Sequence, residues 1–190
     1  MTNLSSTYKA RDHKRHIVLI GFMGAGKSRV ARELAARYGR ACVDLDDLIE
    51  EQEGKSIAQI FQQDGERRFR ELETETLLSA LSQTASSIIA CGGGIVNNPE
   101  NLAQLRSSAV VIYLAVQPER ALARIDDWST RPLLAQAGGA DAIYALAQSR
   151  LALYEAASDI HVNTDRRDIS EVADCAVIKL KEAGYADILA

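Results

Sequence analysis

The sequence predicts an α/β fold: one domain with a five-stranded parallel sheet flanked by helices on both faces. Three observations predict it. Short apolar runs at 17–20, 41–43, 87–91, 109–114 and 160–162 alternate with helical stretches, without internal repeats. The runs at 17–20 and 109–114 are continuously apolar, as expected of strands buried on both faces. Finally, Gly21-Phe22-Met23-Gly24-Ala25-Gly26-Lys27-Ser28 stands between the first apolar run and a helical stretch. Strand, glycine loop and helix together form the context of a phosphate-binding loop.

Taken in order, residues 1–15 are polar with a basic cluster at Lys9, Arg11, Lys14 and Arg15, and read as a disordered or loosely docked tail before a single domain at 16–190. After the glycine loop, Val30, Ala31, Leu34, Ala35 and Tyr38 make the inner face of a helix over 29–38 that stops at Gly39. A strand at 41–43 ends at Asp44-Leu45-Asp46-Asp47, and a helix over 48–53 stops at Gly54. Ser56 and Gln59 form a capping box for a helix to about 63, and a longer helix runs from 66 to about 83. The strand at 87–91 leads into Gly92-Gly93-Gly94, and Asn98-Pro99 caps a short helix. Pro118 starts a helix ending near 126, and helices at 140–157 and 170–183 bracket the last strand. Between the first two of these helices, Trp128 to Gly139 lacks periodicity, so a mobile lid is expected over about 126–140.

A formal net charge of −4 argues against a general nucleic-acid binder. The three cysteines are odd in number and far apart, with Cys42 and Cys91 in apolar strands, so buried reduced thiols are expected. No apolar run approaches membrane-spanning length and the N-terminus has no signal-peptide core, so the expectation is a cytoplasmic enzyme without a membrane partner.

The loop predicts the chemistry. Backbone N–H groups of Gly24, Ala25, Gly26, Lys27, Ser28 and Arg29 can converge on the phosphates of a nucleoside triphosphate at a helix N-terminus. Lys27 adds a cation near the β- and γ-phosphates, and the Ser28 hydroxyl is a ligand for Mg²⁺. Asp44, ending a strand, can reach the metal's hydration shell. Two residues on, Asp46 would project from the same face of an extended chain, toward an acceptor hydroxyl whose proton it could take. Both could instead be helix-capping acids, a role that suits Asp47 best. The guanine-reading Asn-Lys dipeptide is missing, and small size with a water-excluding lid fits a kinase of a small metabolite. Arg70 reads most simply as an ion pair with Glu73, Arg150 as solvated, and Arg167 as a nucleotide or surface contact. Arg131 reads as a lid arginine on the transferring phosphoryl group.

As an ordered set these segments resemble shikimate kinases. They are the glycine loop, Asp44-Leu45-Asp46, Ser56-Ile57-Ala58 through Phe61, Gly65-Glu66, Phe69-Arg70-Glu71-Leu72-Glu73, Gly92-Gly93-Gly94, Arg131-Pro132-Leu133-Leu134, Arg150 with Leu153-Tyr154, and Arg166-Arg167. The resemblance spans 16 to about 180 and implies a P-loop, nucleoside-monophosphate-kinase-like fold with a lid. It also implies Mg²⁺- and ATP-dependent phosphorylation of the shikimate 3-hydroxyl, by a monomer. By position, Asp46 would hold the acceptor and act as base, and Arg70 and Arg150 would grip its carboxylate, with Glu73 orienting Arg70. Gly92, Gly93 and Gly94 would border the ring, Arg131 would reach the phosphates, and Arg124 and Arg167 would lie near the adenine. A kinase of another polyol acid, such as gluconate, is the nearest rival. A regulatory module that only binds nucleotide would be expected to lose Lys27, Asp46 or Arg131, and all three are present.

Overall fold

The computed structural model describes residues 16–124 and 140–189. The N-terminal tail, Arg131 and all of the expected lid except Ala140 lie outside the described residues.

Strands β1 (His16–Ile20), β2 (Ala41–Asp44), β3 (Ser87–Ala90), β4 (Ala109–Ala115) and β5 (Ile160–Asn163) form one sheet in the order β2-β3-β1-β4-β5. Every pairing is parallel. Because β1 is central, all five of its residues are buried. Its alternation divides the core: Ile17 and Leu19 face one layer, Val18 and Ile20 the other. The first layer holds α1 (Lys27–Tyr38) and α8 (Ile169–Glu182), through Val30, Leu34, Ala173 and Leu180. On the opposite face lie α5 (Pro99–Ser108), α7 (Ala140–Ala157) and the C-terminal half of α4 (Gly65–Ser82), through Leu105, Tyr154 and Leu77. The short α6 (Pro118–Ala123) joins this second core through Ala121.

A smaller core stands apart from the sheet. Ile49 of α2 (Leu45–Glu53), Ile60 of α3 (Ile57–Gln63), and Phe69 and Leu72 of α4 pack together. Burying each such side chain contributes about 1.5–3 kcal/mol, enough to hold three helix segments as a unit. The capping box of Ser56 and Gln59 opens α3, and Asp168 with Glu171 makes another at α8.

Two expectations are corrected. Cys42 is exposed, not buried, because β2 is an edge strand; Cys91, beside the central strand, is buried. Helix α2 starts at Leu45, three residues before the expected Leu48, because Leu45 is fully buried and Asp44 caps the helix directly off the strand. Asp46 therefore sits in the first helical turn and not in extended chain. Among the described residues, no helix is long and apolar enough to cross a membrane.

Candidate active site

At the carboxyl edge of the sheet, the connections from β1 and β4 leave in opposite directions, which opens a crevice. A cavity of about 520 Å³ occupies it. Its floor is Met23 to Arg29; its walls include Asp44, Asp46, Cys91, Gly93, Arg124, Thr164 and Arg167.

The loop's course depends on glycine at Gly24. Its φ is +75°, and a Cβ there would collide with the backbone carbonyl of Ala121, three residues before Arg124. Gly26, also left-handed, caps α1 without a side chain, so the first N–H groups of the helix stay open to the cavity. Lys27 Nζ donates to the carbonyls of Gly21 (2.9 Å) and Phe22 (3.1 Å), which keeps the ammonium against the loop.

Ser28 and Asp44 both line the cavity, at the head of α1 and the end of β2. Asp44 accepts from the Asp46 amide through Oδ1 (3.1 Å), so the helix cap fixes the orientation of the carboxylate. A hydroxyl and a single carboxylate suit Mg²⁺, which prefers oxygen and fills its remaining positions with water and phosphate. Asp47, by contrast, pairs with Arg32 on the surface at 3.0 Å.

On the nucleotide side, Arg124 donates to the Thr164 hydroxyl (3.1 Å) and carbonyl (2.8 Å) and to the Gly24 carbonyl (3.4 Å). Arg167 donates to the Asn163 carbonyl at 2.5 Å. Both arginines are thus tied to the end of β5 beside the cavity. Nothing in the sequence singles out Thr164. It is a lone threonine after a strand, buried to 1% exposure, and only its place opposite Arg124 reveals a role.

The second half of the site adjoins the cavity at Asp46 and Gly93. A Cβ on Gly92 would lie 2.5 Å from Glu73 Oε1 and 3.0 Å from Asp46 Oδ1, so the two carboxylates converge on that glycine. On Gly94 a Cβ would fall onto the Arg70 guanidinium. Arg70 is ion-paired with Glu73, three residues on along α4, and with Glu66 at 2.9 Å. Burial pushes the Glu73 carboxyl above its ordinary range, and the Arg70 cation draws it partly back. Its Oε1 has no hydrogen-bond partner among the described residues. Arg150, at 4% exposure, donates to the Gly93 carbonyl at 3.3 Å, which replaces the solvated reading with a buried one.

Thus Asp46, Arg70, Glu73, Gly92 to Gly94 and Arg150 form one cluster, although Arg70 and Arg150 do not line the large cavity. The phosphate loop with Lys27 occupies one side; two guanidinium groups and two carboxylates occupy the other. Such a pair of sites can bring a phosphate donor and an anionic, hydroxylated acceptor together.

Comparison with known proteins shows the family. The family model "Shikimate kinase" matches residues 23–181. A shikimate kinase from Dehalococcoides mccartyi is 43% identical over 169 residues, covering 89% of this chain and 95% of that protein. One from Xanthomonas axonopodis pv. citri is 39% identical over 165 residues, covering 87% and 91%. Among solved structures, shikimate kinase from Acinetobacter baumannii in complex with shikimate superposes with a TM-score of 0.84 at 32% identity, covering 93% of this chain and 97% of that one. Deoxyadenosine kinase from M. mycoides, at 18% identity and a TM-score of 0.57, shares the fold alone. The chain belongs to the shikimate kinase family and is an ATP-dependent kinase.

Proposed function

We propose that the protein transfers the γ-phosphoryl group of ATP to the 3-hydroxyl of shikimate, giving shikimate 3-phosphate for chorismate and aromatic amino-acid synthesis. The observation that carries this reading is the abutment of the phosphate-loop cavity and the Asp46–Arg70–Arg150 cluster across Gly92 and Gly93. A donor and an acceptor bound there would meet at one edge of the sheet.

Arg70 and Arg150 hold the acceptor carboxylate, for which a planar guanidinium fork is suited. Glu73, buried and paired with Arg70, keeps that fork in place. Asp46 orients the acceptor hydroxyl and takes its proton as the oxygen attacks the γ-phosphorus. The bond to the β–γ bridging oxygen breaks, and ADP leaves with that electron pair. Lys27 and the loop amides face the charge that spreads over the phosphoryl oxygens. Arg131, outside the described residues, is assigned the same task from the lid. Arg124 and Arg167 border the adenine end. Ser28, with Asp44 on the metal's water shell, would hold Mg²⁺, which would supply positive charge to neutralise the phosphates. A monomeric, cytoplasmic enzyme with no nucleic-acid or membrane partner completes the reading.

The test is ADP release with Mg²⁺ and ATP in the presence of shikimate, of gluconate, or of no acceptor. Release that depends on shikimate is expected. Acceptor-independent hydrolysis, or a preference for gluconate, would overturn the substrate assignment while keeping the nucleotide site.

A further inference from the structure

Helix α7 places Arg150 and Tyr154 four residues apart, one turn along the same face. Both point at one acceptor atom. The Tyr154 hydroxyl donates to the Gly93 carbonyl at 2.5 Å, and Arg150 Nη1 donates to the same oxygen at 3.3 Å. Tyr154 is 1% exposed, and its ring stacks on Tyr113 with centroids 5.2 Å apart and planes at 16°. Tyr113 in turn stands on β4 in register with Ile20, the residue just before the phosphate loop. The phenol is thus oriented by the sheet and does not depend on any ligand. Gly93 lies between it and the loop: a Cβ there would be 3.6 Å from both the Gly21 carbonyl and the Met23 amide, and 3.7 Å from the phenol oxygen.

We propose that Tyr154 is a positioning residue for the acceptor site, whose hydroxyl satisfies the Gly93 carbonyl and so leaves the Arg150 guanidinium available to the acceptor carboxylate. The inference rests on the proposed acceptor site and adds a residue to it. The two donors compete for one oxygen. The carbonyl has a short bond from Tyr154 and a long one from Arg150, so the tyrosine is the main donor. Without that hydroxyl, a partly buried carbonyl is a donor short, and the nearest remaining donor is Arg150. Drawn onto Gly93, the guanidinium is no longer placed for a carboxylate. The phenol is protonated at neutral pH at its ordinary pKa; burial pushes that pKa further up, and Arg150, hydrogen-bonded to the phenol, draws it partly back.

The test is Tyr154→Phe, which removes the hydroxyl and keeps the ring stack. KM for shikimate should rise about tenfold, with kcat and KM for ATP within about twofold of wild type. Tyr113→Phe, which alters the other ring of the stack, should leave KM for shikimate unchanged. A lower melting temperature in Tyr154→Phe with unchanged KM for shikimate would overturn the proposal and leave the hydroxyl a structural bond. An equal rise in KM for both substrates would overturn it too, by showing a general loss of packing. Failure of the substrate reading is visible separately, as a wild-type enzyme that does not turn over shikimate; the role assigned to Tyr154 would fall with it.

Discussion

The two halves of the site are built differently. The phosphate-binding core of the nucleotide half is one contiguous stretch, 21–29, whose working groups are largely backbone amides set by glycine conformations and a helix start, with Arg124, Thr164 and Arg167 added from distant segments. The acceptor half draws on α2, α4, the glycine turn after β3, and α7, whose residues Asp46 and Arg150 are more than a hundred positions apart. Its working groups are side chains, Glu73 and Arg150 buried and Asp46 and Arg70 half-buried, held by ion pairs and by the glycine turn. A backbone site tolerates side-chain change around it but depends on the cation carried by the loop itself, Lys27. A side-chain site distributes its dependence over many residues, each acting on one substrate.

That contrast can be broken or sharpened by substitution. The largest effect is expected at Lys27, the cation of the phosphate loop. Lys27→Ala should lower kcat by about 10³-fold or more, because it removes charge stabilisation at the transferring group. Circular dichroism and melting should show a folded protein, since the loop's course is set by its glycines. Next comes Arg70→Ala, which should reduce kcat/KM for shikimate about a hundredfold while the Kd for ATP, read by calorimetry, changes little. Comparable loss of both affinities would show that the halves are not separable.

A smaller effect is expected at Thr164→Val, which deletes the hydroxyl that accepts from Arg124 but keeps the carbonyl that accepts its second bond. KM for ATP should rise about three- to tenfold, with KM for shikimate unaffected.

The smallest is a pH effect at Glu73. Burial raises its carboxyl pKa in the folded state above that of the unfolded chain. Between those two values the folded protein holds a proton that the unfolded chain has lost, so stability falls as pH rises through that window. Above it the cost of burying the carboxylate is fully present, offset in part by Arg70. The Glu73→Gln variant has no group to titrate there. Wild-type stability relative to this variant should therefore decline as pH rises through that window, measured by urea unfolding at a series of pH values. A relative stability that rises with pH would mean that the ion pair outweighs burial. At neutral pH the variant should also bind shikimate more weakly, because a neutral amide cannot hold Arg70 by charge.

The phosphate loop was legible in the chain because its geometry is local. Glycine spacing, the lysine and the following helix lie within one stretch, and reading them needs no knowledge of distant contacts. The Asp44–Asp47 turn was legible only in part. Four successive residues held three acids, and which one capped the helix depended on where the β2–β3 ladder ended, at Asp44 opposite Ala90. Cys42 was misplaced for a related reason: an apolar run does not disclose whether its strand is at the centre or the edge.

By itself the sequence determined the strand–loop–helix phosphate site, the alternating α/β pattern and, through ordered motifs, the family. These features rest on short-range periodicity and backbone conformation, which are written residue by residue. Tertiary structure alone decided that Thr164 meets Arg124, that Asp46 and Glu73 converge on Gly92, and that Tyr154 shares the Gly93 carbonyl with Arg150. Each of those contacts joins segments far apart in the chain, and only the packing of helices on a sheet of particular strand order brings them within hydrogen-bonding range.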